Sequence, residues 1–327
     1  MKMTRPQRGT ILTLGPFIAV GALALLIAAA GFAITPRAAR DASNGAVSPS
    51  VSLDASANPS ATQAAAPTAP RPSASDPRAD EPSEMLRIHN TLRAAIGAPA
   101  VRFDDRVSAA AQRHAEYLAL AASIGHEETE GQPGFTGVTV RDRLAAAGYP
   151  DATASEVAAS SGSGSDDVRF LWDLPYHRLA LMHPHAVIAG WGHADSAGKG
   201  ITVGVVVFDF GAAAPDLVRS PAEGQRVPAS WDGQESPDPL PGVPRPVGYP
   251  ILAVYAKATP VALRAATLTD AGGGVVPTTV IQQIYERDYV AIAPTTPLST
   301  GARYRVRLDL VVGGADVTTE WEFETER

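Results

Sequence analysis

The chain has 327 residues and no cysteine. Disulfide bonds are therefore excluded, and each folded part must be stable on its core alone. The chain also lacks an excess of positive charge, since 27 Lys and Arg stand against 34 Asp and Glu, for a net charge of −7. Proteins that bind nucleic acid present a basic face to the phosphates, so this balance argues against nucleic acid as a partner. No Gly-x-Ser-x-Gly elbow of the hydrolase type occurs either.

A long apolar run follows a basic N-terminal stretch. Residues 11–34 make 24 almost uninterrupted apolar positions, enough to cross a bilayer as a helix. Lys2, Arg5 and Arg8 precede the run, and the positive-inside rule then places the rest of the chain outside the cell. We predict a transmembrane signal anchor over 1–34 and a single-pass protein of the cell membrane. The alternative is a cleaved signal peptide and a secreted protein.

The next two segments differ sharply in composition. Residues 35–83 are rich in Ala, Ser and Pro, which predicts a disordered spacer. Residues 84–214 instead show apolar residues at helical spacing, with Asp104 as a helix cap and a capping box at 139–142. Two strands follow, at 187–191 and 201–210. Helices followed by antiparallel strands predict an α+β fold in layers.

The remainder of the chain has the periodicity of strands. Residues 215–248 are rich in Pro and Gly, which predicts a linker or the irregular start of a second domain. From 249 to 327 the pattern is all-β. Tyr304, Val306 and Leu308 alternate with charged residues, which predicts strands buried on one side only. We expect a small β-sandwich that acts as a spacer or adhesion module.

Two histidines and one glutamate carry the candidate chemistry. His126, Glu156 and His177 lie in polar breaks between helix-like segments. They are 30 and 21 residues apart, whereas the ligands of local metal motifs are a few residues apart. Imidazoles and a carboxylate are the ligand set of open zinc sites. The alternative is a hydrogen-bonded polar cluster without a metal.

The other histidines receive structural interpretations. His114 lies on an apolar stripe and His89 lies beside one, so both are predicted to be packed core histidines. His183, His185 and His193 are predicted to be surface or loop histidines.

Several short motifs between residues 84 and 211 recur in the order of a known family. They are Asn90–Arg93, Ala111–Ala115, Gly125–His126, Pro133–Gly137, Ala147–Tyr149, Tyr176–Arg178 and Asp209–Gly211. In this order they resemble the bacterial branch of the CAP superfamily, also called SCP-like extracellular domains. Residues 218–327 resemble, more loosely, the Ig-like modules of bacterial surface proteins.

The resemblance implies a fold and a site. The fold is a three-layer α–β–α sandwich with an open cleft that carries two histidines and one or two acidic residues. His126 and His177 match the histidines, and Glu156 matches the acid of the family's Gly-Glu-Asn motif. Ser155 and Val157 replace the glycine and the asparagine of that motif. The last strand also lacks the histidine that eukaryotic members carry there.

Three functions follow from these observations. The first is a surface-displayed binding protein whose cleft takes a divalent cation, most plausibly zinc, and a lipid, cell-envelope or small apolar ligand. The second is an extracellular hydrolase that acts on a peptide or envelope substrate. The third is a structural surface protein with a degenerate cleft. We favour binding over catalysis.

Overall fold

The computed structural model describes residues 78–196, 199–233, 235–256 and 259–327. These residues belong to one compact unit. The predicted transmembrane segment, and the predicted spacer up to residue 77, lie outside the described ranges. Within those ranges no helix has both the length and the apolar character that a membrane crossing needs.

Five helices and twelve strands make up the described part of the chain. The helices are α1 Pro82–Ala95, α2 Asp105–Ala121, α3 Val140–Ala146, α4 Gly164–Asp173 and α5 Pro175–Met182. The first strands are β1 Thr153–Ala159, β2 Ala186–Ser196, β3 Lys199–Phe208, β4 Leu217–Ser220, β5 Arg226–Val227 and β6 Ile251–Tyr255. The remaining strands are β7 Val261–Asp270, β8 Val275–Val276, β9 Thr278–Ile281, β10 Tyr289–Pro294, β11 Arg303–Val312 and β12 Ala315–Thr325.

Local signals start the helices where the sequence predicts. The Asp104 carboxylate accepts a hydrogen bond of 2.9 Å from the Arg106 N–H and so caps α2. The capping box at α3 is confirmed, because Thr139 and Asp142 exchange side-chain to backbone hydrogen bonds. Such caps satisfy backbone donors that have no partner within the helix.

The first half of the described chain forms three layers. Its antiparallel sheet has the order β1-β3-β2. Along β3, Val205 faces the core shared with α2, whereas Val206 faces the core shared with α1, α4 and α5. The helix α2 packs very closely on β2, because a Cβ added at Gly190 would lie 2.3 Å from the Ser108 backbone nitrogen. The predicted α–β–α arrangement is confirmed.

The second half forms two sheets packed face to face. Their orders are β4-β6-β10-β9 and β5-β12-β11-β7-β8. On β11 the residues Tyr304, Val306 and Leu308 are buried, while Arg305 and Arg307 pair with Glu322 and Glu320 of β12 on the exposed face. The predicted alternation is confirmed for this hairpin. Residues 215–248 start this half, since β4 pairs with β6 and β5 pairs with β12.

The four-stranded sheet differs from the prediction of strands buried on one side only, because β6 and β10 are buried on both faces. One face packs on the five-stranded sheet. Leu252 and Tyr289, on the other face, join the same apolar core as Trp172, Trp191 and Trp231. The two halves of the described chain therefore share a core, and this contact brings the second half to the candidate site.

Candidate functional site

The three predicted site residues come from three different elements. His126 lies in the loop that follows α2, and His177 is the third residue of α5. Glu156 lies in the middle of β1, opposite Val205 of the central strand β3. The sequence patterns gave no sign of this strand. It holds Glu156 rigidly in the sheet, whereas His126 depends on its loop.

The first pair in the site joins His126 to Glu156. The ring Nδ1 of His126 lies 3.2 Å from Glu156 Oε1. The other carboxylate oxygen, Oε2, accepts a 2.7 Å hydrogen bond from Arg143 Nη2, and the same Nη2 donates to the His126 carbonyl at 3.0 Å. The side chains of Arg143 and Glu156 are 1 % and 3 % exposed, whereas that of His126 is 53 % exposed. A buried ion pair thus holds an accessible imidazole.

Behind this pair lies a second buried carboxylate, Glu128. One of its oxygens lies 2.9 Å from His114 Nδ1, and the other accepts the backbone N–H of Gly137 at 3.2 Å. His114 Nε2 faces the Gly125 carbonyl at 3.2 Å. Both ring nitrogens of His114 therefore face oxygen atoms of neighbouring residues. His114 is a packed structural histidine, as predicted, and Glu128 anchors the loop that carries His126.

The second pair in the site joins His177 to Glu235, which sequence reasoning missed. His177 Nδ1 lies 2.5 Å from Glu235 Oε1, and that oxygen also accepts the His177 backbone N–H at 2.8 Å. Oε2 of the same carboxylate accepts the Tyr176 N–H at 3.0 Å. Glu235 thus caps the N-terminus of α5, where a negative charge is stabilising. Its side chain is fully buried, although it comes from the Pro-rich segment 215–248.

The two pairs adjoin each other. The rings of His126 and His177 lie 6.5 Å apart between centroids and are tilted by 38°. Each ring uses Nδ1 toward a carboxylate. An ionised carboxylate can only accept, so a neutral imidazole in either contact donates from Nδ1 and has its lone pair on Nε2. The structure therefore brings His126 to both Glu156 and His177, and adds Glu235.

The remaining candidates lie elsewhere. His89 is fully buried, and burial, aided by the Arg93 charge, lowers its pKa to about 3. His183 and His185, expected as surface or loop histidines, are 8 % and 1 % exposed. Both lie in the loop between α5 and β2, which agrees with one part of that expectation, but neither lies at the surface. The second half of the chain covers His183, whose Nε2 contacts Asp288 at 3.2 Å.

His193 departs from the same expectation. Its side chain is 6 % exposed, and its Nδ1 contacts the Thr202 hydroxyl at 2.8 Å. Asp173 is half-buried and accepts a hydrogen bond from the Tyr249 hydroxyl at 3.3 Å. Burial raises the pKa of Asp173.

A protein-family comparison identifies the part of the chain that carries this site. The family model described as "CAP: Cysteine-rich secretory protein family" matches residues 86–210. Residues 86–210 form a CAP domain. The match agrees with the resemblance predicted from the motifs between 84 and 211. Three of the four side chains in the two pairs belong to the CAP domain, and Glu235 lies beyond it.

The solved structures show only distant likeness. An extracellular protein containing an SCP domain from Bacillus anthracis is 17 % identical, with 39 % of this chain and 40 % of that chain covered and a TM-score of 0.35. An outer surface protein from Borrelia burgdorferi is 19 % identical, with 38 % and 92 % covered and a TM-score of 0.33. CopC from Methylosinus trichosporium is 16 % identical, with 33 % and 88 % covered and a TM-score of 0.25. No curated protein matches the chain significantly.

The geometry can be compared with what a metal ion requires. Among the described residues, no three His, Asp or Glu side chains are arranged to hold an ion. Glu156 has both oxygens engaged, by His126 and Arg143. The two histidines fit better, since their Nε2 atoms are available and carboxylates back their Nδ1 atoms, the usual support of zinc-binding imidazoles. Two rings on one tetrahedral zinc lie about 5 Å apart between centroids, so the pair must close by about 1.5 Å from its 6.5 Å spacing.

Proposed function

We propose that this chain is an exported, membrane-tethered CAP-domain protein whose cleft binds a divalent cation, zinc above all, through Nε2 of His126 and His177. Glu156 and Glu235 stand behind the two rings. The observation that carries the proposal is the pair of carboxylate-backed imidazoles 6.5 Å apart. Because two protein ligands leave the other positions to water or to a ligand, we expect modest affinity and an open site.

The parts outside the cleft have proposed roles as well. The apolar run 11–34 would anchor the chain and residues 35–83 would hold the domain away from the membrane, while the second half would be an Ig-like module. Secretion after cleavage is the alternative. A cell-envelope or small apolar ligand is supported by Ile284 and Tyr285, which are 44 % and 52 % exposed. Tyr285 stacks edge-on against Tyr176, the neighbour of His177, at 5.3 Å.

Calorimetry with zinc on the full chain in mild detergent tests the cation site. His126→Ala and His177→Ala should each remove most of the binding, because each deletes one of two ligands. His193→Gln is the matched control, since its ring contacts Thr202 rather than either cleft histidine. Affinity should also fall as the pH falls, because a protonated imidazole cannot bind an ion. No binding, or binding that survives both alanine variants, would leave a polar cleft without a metal.

A second candidate is hydrolysis of a peptide or envelope substrate by a water molecule that His177 activates. The His177–Glu235 contact favours it, because a buried carboxylate orienting a histidine is the arrangement of a general base. Turnover of chromogenic ester and peptide substrates, measured with and without a chelator, separates the two functions. Turnover that resists the chelator and disappears in His177→Ala would favour hydrolysis.

A further inference from the structure

The helix α5, which carries His177, is held on one side by residues that lie outside the CAP domain. Arg178 is fully buried and donates from Nη1 to the Ser220 hydroxyl at 3.2 Å and to the Pro250 carbonyl at 3.1 Å. Its guanidinium also lies 4.5 Å from the centre of the Tyr249 ring. The Tyr176 hydroxyl donates to the Gln282 carbonyl at 3.0 Å.

Glu235 completes this set of contacts and also contacts the imidazole ring of His177. Its carboxylate takes two backbone N–H groups at the start of α5 as well as His177 Nδ1. Three donors on one buried carboxylate fix its position, so the imidazole has a fixed hydrogen-bond partner. His126, in contrast, takes its carboxylate from inside the CAP domain.

We propose that Glu235 is a positioning residue for His177, so that the cation affinity of the CAP cleft depends on the C-terminal region that supplies Glu235. The proposal rests on the cation binding proposed above. By holding the hydrogen on Nδ1, Glu235 keeps the Nε2 lone pair ready and sets the plane of the ring. Loss of such an outer partner typically weakens metal binding by about 10–100-fold.

The dependence also runs in the reverse direction. If docking of the C-terminal region strengthens ion binding, then ion binding must strengthen that docking by the same factor. The CAP cleft and the region beyond it would then act as one unit rather than as a head and a passive spacer.

Graded substitution of Glu235 in the full chain tests the proposal. Glu235→Gln keeps an acceptor oxygen but loses the charge, so zinc affinity measured by calorimetry should fall about tenfold; Glu235→Ala should lose up to about 100-fold. Glu223→Gln is the matched control, because it removes the same charge from an exposed position of the same segment. Thermal unfolding monitors whether each variant is folded.

A second readout does not depend on the ion. The ¹⁵N shifts of the His177 ring, assigned through His177→Ala, should show hydrogen on Nδ1 in the wild type and a mixture of tautomers in Glu235→Ala. If the wild type binds no zinc but the tautomer changes in Glu235→Ala, the cation site is refuted and the positioning role stands. If zinc binds, and folded Glu235 variants keep both wild-type affinity and the wild-type tautomer, the positioning role is refuted. Should Glu235→Ala fail to fold, Glu235→Gln decides alone.

Discussion

The two histidine–carboxylate pairs of the cleft look alike but are built differently. His126 and Glu156 both belong to the CAP domain, and the buried Arg143 offsets the charge of the glutamate. His177 takes its carboxylate from Glu235, 58 residues further along the chain, where a helix N-terminus supplies the stabilising donors. One pair is therefore internal to the CAP domain, while the other depends on a contact between two regions.

The difference shows how the same chemistry can be supported in two ways. A buried carboxylate needs compensation, which is provided by a cation in the first pair and by backbone N–H groups in the second. We expect loss of a single charge, that of Arg143, to disrupt the first pair. We expect the second pair, His177 and Glu235, to be disrupted by loss of the whole C-terminal region, because the core that docks this region also includes Trp231 and Leu252.

Of the changes that distinguish the two pairs, removal of the C-terminal region should have the largest effect on folding. A chain that ends after residue 214 exposes the apolar core that β6 and β10 cover, and it leaves His177 without Glu235. A shared core argues against independent folding, so we expect no cooperative thermal transition for residues 84–214, as followed by circular dichroism. A sharp transition in that fragment would show that the CAP domain folds alone, as the sequence-based division at 214 assumes.

Breaking the internal pair should have the next largest effect. Arg143→Met leaves the buried Glu156 carboxylate without its cation, and breaking such a pair costs about 3–5 kcal/mol of unfolding free energy. Urea unfolding of the full chain measures this loss. Arg141→Met is the control, because Arg141 is 73 % exposed and lies 3.9 Å from an exposed Asp151; it should change little. Equal stability of the two variants would show that Arg143 does not balance the cluster.

A third histidine, His89, should have a smaller effect, seen in how the stability depends on pH. His89 donates to the Leu181 carbonyl at 2.9 Å, and its pKa is lowered to about 3, mainly by burial. The unfolded chain therefore binds a proton at His89 below about pH 6.5 that the folded chain does not bind, so stability falls as the pH falls. The loss between pH 7 and pH 5 should be about 2 kcal/mol.

Urea unfolding of the wild type and His89→Gln at several pH values checks this expectation. The variant keeps a hydrogen-bond donor for Leu181 but has no ionisable ring, so its stability should depend less on pH over the same interval. Parallel pH curves for the two proteins would contradict the buried, neutral state of His89.

The sequence by itself determined the features that depend on near neighbours. The caps at Asp104 and Thr139 and the alternation along β11 are local patterns, and each reappears in the structure because hydrogen bonds within one turn, or burial of one strand face, fix them. The order of short motifs also located the CAP domain and three of the four side chains in the two pairs.

Only the tertiary structure decided how the site is completed. Glu235 stands in a Pro-rich segment with no periodicity, and an isolated glutamate there has the pattern of a solvated residue. Its burial follows from docking: the four-stranded sheet covers the CAP helices with its second face and brings the segment 215–248 against α5. No local pattern encodes that contact, because residues far apart in the chain contribute to it and the free energy of burial depends only on which surfaces finally meet.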